Sequence, residues 1–235
     1  MFDNAVDESI VIDESRQSVV SELMRNVYLW MTIGLALTGV IAWLVASSPV
    51  MLNFIFGNNW MIWVLILAEL GFVIALSAGV NKMSFLTAEI LYTLYCALNG
   101  LTMSTIFIAY ELSSVGQVFF VTAGSFALLA LIGTFTKKDL SRMGTFLIIA
   151  LGGLIIASIV GMFMGRPDSI LISVIAVIIF AGLTVYDANK IRLMMLNQET
   201  VNEGNMKLAL LGALSLYLDF INLFIRLLSL FGNRK

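Results

Sequence analysis

Apolar residues fill seven long runs of this chain, approximately Val27 to Ser47, Trp60 to Val80, Ser84 to Ile108, Val118 to Phe135, Gly144 to Met164, Ile170 to Ile191 and Leu208 to Phe231. Short polar stretches separate them. A helix needs about 20 predominantly apolar residues to cross the hydrocarbon core of a bilayer, and these runs meet or approach that length. The pattern predicts an all-α polytopic membrane protein with short connections. Residues 1–26 differ, because Asp3, Asp7, Glu8, Asp13, Glu14 and Glu22 face only Arg16 and Arg25. That segment reads as an acidic, solvated and partly helical tail, and 27–235 as one transmembrane domain. The tail lacks the basic start and short apolar core of a secretory signal, so no cleavage is expected.

Composition narrows the chemistry. Apolar residues make up 60% of the chain and charged residues 12%, and the mean hydropathy is +0.99, a balance foreign to water-soluble globules. There is no histidine, and Cys96 is the single cysteine. A zinc or copper site, an intrachain disulfide and a Ser-His catalytic pair are therefore not expected, and neither is a resident cofactor.

Basic residues orient the spans. Lys82, the Lys137, Lys138 and Arg142 group, and Lys190, Arg192 and Lys207 fall in alternate loops on the side of the N-terminal tail, whereas the opposite loops contain only Arg166. The positive-inside rule places the tail and those loops in the cytoplasm. The seventh run leaves two readings open. Its length favours a seventh crossing, while a re-entrant segment would keep Arg234 and Lys235 with the other basic groups.

Charges inside the spans point to function, since one at the bilayer centre costs at least ~2.5 to 3.5 kcal/mol. The candidates are Glu69 in the second span, Glu89 in the third, Asp187 in the sixth, and Asp219 and Arg226 in the seventh. The excess of acids makes a cation or proton pathway plausible. In the seventh span Ser215, Asp219, Asn222, Arg226 and Ser229 recur at spacings of four, three, four and three, forming one polar stripe on an otherwise apolar helix. The stripe suits a cavity, or interhelical hydrogen bonding. Asp187 suits a gate or an interfacial ion pair with Lys190. Glu69 suits an ion path or a neutral hydrogen-bonded carboxyl, and Glu89 an interfacial position. Asp219 lies roughly 18 Å along its helix from Lys207, so depth alone does not set it beside Asp187.

The stretch Ala213-Leu-Ser-Leu-Tyr-Leu-Asp-Phe-Ile-Asn-Leu-Phe-Ile-Arg-Leu-Leu228 resembles the C-terminal signature of the Bax inhibitor-1 (transmembrane Bax inhibitor motif) family. Leu98-Asn-Gly-Leu-Thr-Met-Ser104 and Val185-Tyr-Asp-Ala-Asn-Lys190 are similar to its third- and sixth-helix motifs. The resemblance implies a seventh helix surrounded by six others in a bacterial inner membrane, and a pH-sensitive calcium leak gated by two aspartates. The matching positions are Asp187 and Asp219, which become candidate Ca²⁺ contacts, with Glu69, Glu89, Asn222 and Arg226 assigned to the ion pathway. Ca²⁺ takes oxygen ligands and needs neither His nor Cys. With no histidine, a response near neutral pH falls to carboxylates, whose titration moves with burial and neighbouring charge. Some relatives latch the aspartates with a second-helix Arg. This span has none, and Lys82 is the nearest base.

The resemblance implies a second role as well: some bacterial relatives are thought to modulate a membrane-anchored ATP-dependent protease, for which the acidic tail would be the handle. Two aspartates on adjacent helices also suggest intramembrane aspartyl proteases. Those need Gly-x-Gly-Asp, where this chain has Leu216, Tyr217, Leu218 and Asp219, so no enzyme is expected.

Overall fold

The computed structural model describes residues 2–163 and 170–235. The chain forms α1 (Phe2–Ala46), α2 (Pro49–Phe56), α3 (Asn59–Gly79), a single 3₁₀ turn over Val80–Lys82, α4 (Phe85–Ala109), α5 (Leu112–Phe135), α6 (Ser141–Phe163), α7 (Ile170–Leu196) and α8 (Glu203–Phe231). Seven of these, all but α2, are long and apolar enough to cross a membrane. The connection containing Arg166 lies outside the described residues.

The expected tail is continuous with the first span. Its last turn carries Leu23 and Met24, which are buried in the core together with Val27 at the start of the span, and Arg16 pairs with Glu199 in the α7–α8 connection at 3.3 Å. Apolar residues at positions 19, 20, 23, 24 and 27 recur at helical spacing, so the helix buries a face before the uniformly apolar run begins. The expected loop from Ser48 to Asn59 contains the short α2. Pro49 supplies a preset φ at its first turn, and Ser48 Oγ accepts from Met51 N at 3.4 Å.

α8 is the central helix. It is the most buried of the seven spans, and α3 and α6 are the least buried. α1, α4, α5 and α7 pack directly on it, whereas α3 leans on α4 and α6 on α7. The inward aromatic side chains explain the tight half of the ring: Tyr217 stacks edge-on with Tyr95 at 5.7 Å and Tyr92 at 6.3 Å, and Phe220 with Phe126 at 5.4 Å. Small residues permit the closest approaches. A Cβ on Gly133 of α5 would lie 2.3 Å from the Val185 carbonyl oxygen of α7.

Both ends of α8 are pinned to both ends of α4. At the start, Glu203 Oε1 accepts from Phe85 N at 2.8 Å, and Lys207 Nζ donates to Met83 O at 3.0 Å. At the finish, Lys235 N donates to Ala109 O and Glu111 N to Asn233 O, both at 3.0 Å. The two helices therefore run parallel across the same thickness. A helix of 29 residues spans about 43 Å, enough to cross a hydrocarbon core of ~30 Å. The seventh run is a full crossing, and the re-entrant alternative is excluded.

Candidate functional site

Because α3 and α6 stand away from α8, a cavity of about 860 Å³ remains on that side of the bundle. The polar stripe of α8 faces it. Ser215, Asp219, Asn222 and Arg226 line the cavity from α8, Tyr186, Asp187 and Lys190 from α7, Glu69 from α3, Tyr95 from α4 and Ser158 from α6. The rest of the wall is Leu, Ile, Val and Phe. Ser229, the last member of the stripe, lies 3.4 Å from Ser173 of α7 and bonds helix to helix instead.

Both aspartates line this cavity, near enough for the charge of one to act on the other, and Lys190 is near enough to act on Asp187. Asp219 is 5% exposed, and its Oδ2 has no hydrogen-bond partner. Among the described residues Ser158 Oγ is the other buried side-chain oxygen left unsatisfied, and it belongs to the same wall. A buried polar atom without a partner is costly, so both oxygens suit a water-filled or ion-conducting space.

Glu69 sits on the opposite wall in a hydrogen-bonded shelf. Thr102 Oγ1 donates to its Oε1 at 2.5 Å, and the Asn99 side chain lies alongside. Asn99 Oδ1 accepts from Tyr217 Oη at 3.1 Å, and Tyr217 Oη is 2.7 Å from Thr38 Oγ1. Through these contacts the Leu98–Ser104 motif links the second-span acid to the central helix.

The Val185–Lys190 motif divides its work by side-chain direction. Tyr186 covers Gly144 of α6, where an added Cβ would come within 2.2 Å of the ring. Asp187 faces the cavity. Asn189 donates to the carbonyls of Gly133 at 3.1 Å and Thr136 at 2.9 Å, satisfying groups that the end of α5 leaves unpaired. Lys190 Nζ lies 5.9 Å from the Tyr186 ring centre.

One sequence expectation is corrected, and one open question is answered. Glu89, assigned to the ion pathway, does not line the cavity. The inward face of α4 is Ala88, Tyr92, Tyr95, Cys96 and Asn99, and Glu89, one residue past Ala88, is turned about 100° from it. Lys82 also lies away from the aspartates, in the 3₁₀ turn beyond α3. The bases that share the cavity are Lys190 and Arg226. Ser158 was missed, although it is the sole polar side chain in the apolar run from Phe146 to Met164.

Among the described residues no three of His, Cys, Asp and Glu gather closely enough to hold a metal ion. Asp187 and Asp219 could contact a passing cation, but a tight resident site is not built here. Outside the membrane, Asp139 accepts from Ser141 N at 2.8 Å at the start of α6. Hydrogen bonds from the Ser141 side chain first, and its backbone next, hold that carboxyl below its ordinary range.

The sequence profile described as "Inhibitor of apoptosis-promoting Bax1" matches residues 20–235. The chain belongs to the Bax inhibitor-1 family. It is 44% identical over 215 residues to the inner membrane protein YbhL of Escherichia coli (strain K12), covering 90% of this chain and 92% of that one. A protein of Borreliella burgdorferi is 38% identical over 231 residues, 96% and 99% of the two chains. One of Deinococcus radiodurans is 39% identical over 217 residues, 92% of each. The matched range of this Bax inhibitor-1 protein begins inside the first span, four residues beyond Arg16, and takes in the other six entirely.

Proposed function

We propose that this protein is a pH-sensitive calcium leak of the bacterial inner membrane, gated by protonation of Asp187 and Asp219. The observation that carries the reading is the convergence of three carboxylates, Glu69, Asp187 and Asp219, from three different helices on one intramembrane cavity. Hard cations such as Ca²⁺ take oxygen ligands, and carboxylate, amide and hydroxyl oxygens line this space.

Two carboxylates that feel each other titrate as a pair, so the charge of the cavity changes with pH as a unit. The ionised pair attracts a cation, and the protonated pair does not. Asp187 is positioned by the turn that carries Tyr186 and Asn189, and Glu69 by Thr102. Lys190 at one end and Arg226 at the other bound the acidic stretch, so cations would concentrate between them. The reading places the N-terminus and the Lys137–Lys138 loop in the cytoplasm by their basic residues. The chain moves an ion and makes no covalent bond.

The alternative role, modulation of a membrane-anchored ATP-dependent protease, would use the segment before the first span. It predicts co-purification of that protease, lost on deleting residues 1–15 while ion flux survives. The calcium reading is tested by Ca²⁺ uptake into liposomes containing the purified chain. Uptake above that of empty liposomes, reduced or altered by Asp187→Asn, supports it; uptake equal to that of empty liposomes at every pH overturns it.

A further inference from the structure

The central cavity has a smaller neighbour toward the end of the bundle that carries the Lys137–Lys138 loop. This outer cavity, of about 190 Å³, is walled by Asp139, Leu140 and Ser141 at the approach to α6 and by Asn189, Leu193 and Asn197 along the last turns and exit of α7. Tyr186 and Lys190 line both spaces. Tyr186 stands ten residues before the end of α7, about 15 Å of helix, and a helix of 27 residues, about 40 Å long, overhangs a ~30 Å hydrocarbon core by some 5 Å at each end. The boundary between the two cavities therefore lies inside the hydrocarbon layer.

The backbone around that boundary is pinned. Asn189 ties α7 to the carbonyls of Gly133 and Thr136 at the end of α5, and Asp139 accepts from Ser141 N where α6 starts. The half-buried Tyr186 ring lies on Gly144 of α6, so close that an added Cβ would come within 2.2 Å of it. Lys190, one turn further along α7, sets its Nζ 5.9 Å from the ring centre. A side-chain rotation is the motion this frame leaves easiest, since rotamers change without moving a helix.

The chemistry on the two sides of the ring matches. Asp187 lies in the central cavity and Asp139 in the outer one, so a hard cation would find a carboxylate before and after the ring. Between them, the ring face itself attracts positive charge, which the Lys190 ammonium already supplies. The polar outer wall suits water.

We infer that the Tyr186 ring closes the central cavity toward the outer one, and that its bulk sets the size of the cation that passes between them. Tyr186 is thus a specificity-determining residue that acts by exclusion, seated on Gly144. The inference rests on the proposed leak for the identity of the ion, whereas the closure follows from the two cavities and the ring between them.

The test is the rate at which Ser215→Cys, on the α8 wall of the central cavity, reacts with a trimethylammonium thiosulfonate. The reagent is applied from the face of membrane vesicles at which Lys138→Cys reacts. The rate is expected to rise about tenfold or more in Tyr186→Ala and to stay at its original value in Tyr186→Phe, which keeps the ring. An unchanged rate in Tyr186→Ala would overturn the closure. A Tyr186→Phe rate as high as that of Tyr186→Ala would also overturn it, because the hydroxyl and not the ring would then be responsible. Cys96, fully buried, reports folding in the same sample. Should Tyr186→Ala expose Cys96 to the reagent, Tyr186→Leu, which keeps an apolar side chain against Gly144, is read in its place with the same two outcomes. Because the probe is a thiol reagent and not Ca²⁺, a chain without calcium flux still returns either answer, so failure of the leak and failure of the closure are told apart.

Discussion

Thr102 of α4 donates its hydroxyl hydrogen to Glu69 of α3 at 2.5 Å, joining a peripheral helix to one that packs on the centre. α3 is the least buried of the spans, and this bond is a polar tie between it and the helix it leans on. Thr102→Val keeps the shape and removes the donor. It is expected to lower stability by about 0.5–1.5 kcal/mol, the net worth of one hydrogen bond to a part-buried acceptor. Thermal unfolding in detergent measures it, and Thr102→Ser, which keeps the hydroxyl, should restore most of the loss.

Gly133 is the point at which α5 touches the backbone of α7. Its added Cβ would meet the Val185 carbonyl oxygen, which cannot rotate away. Gly133→Ala should therefore destabilise by about 1–3 kcal/mol through overpacking. Gly152→Ala, where nothing lies within 4 Å of the added carbon, should be close to neutral. Comparison of the two melting temperatures decides whether the α5–α7 contact is as close as described.

The full crossing of α8 puts residues 233–235 on the opposite side of the membrane from Lys138. Cysteines placed singly at Asn233 and Lys138 should react with a membrane-impermeant thiol reagent from opposite faces of oriented vesicles. Cys96 is fully buried and should stay unlabelled until the protein is denatured. Labelling of both engineered positions from one face would contradict the parallel arrangement of α4 and α8.

Asp139 supplies a pH effect outside the membrane. Ser141 donates to it and favours its charged form, so its folded value lies below the ordinary 3.8. A depressed value means that the charged form stabilises the fold above the unfolded pKa, and that this contribution disappears as pH falls through the folded one. Carboxyl-carbon NMR of the chain in micelles should show the Asp139 midpoint below 3.8, moving upward in Ser141→Ala.

The polar stripe of α8 was legible in the sequence because a 3.6-residue period on an apolar background leaves few other arrangements. The meeting of Asp187 with Asp219 was not, since it depends on how far α7 slides along α8. That register is set by packing, as where Gly212 of α8 admits Ile191 of α7 with only 3.0 Å to spare for an added Cβ. The family resemblance brought the two residues together before the structure did. Glu89 was overvalued for its charge, because a helix turns about 100° per residue and the adjacent Ala88 took the inward place. Ser158 was undervalued for the opposite reason: a hydroxyl is inexpensive in a membrane helix, and its missing partner is visible only in three dimensions.

The central claim is that the charge on the aspartate pair governs the ion path, and Asp219→Asn tests it most directly because the amide imitates the protonated carboxyl. Ca²⁺ flux into liposomes would be recorded for wild type and variant from about pH 6 to 8, where paired buried carboxylates can titrate. The expected result is a wild-type flux that changes with pH and a variant flux held near the wild-type acid limit throughout. A variant with the same flux and the same pH dependence as wild type would contradict the account.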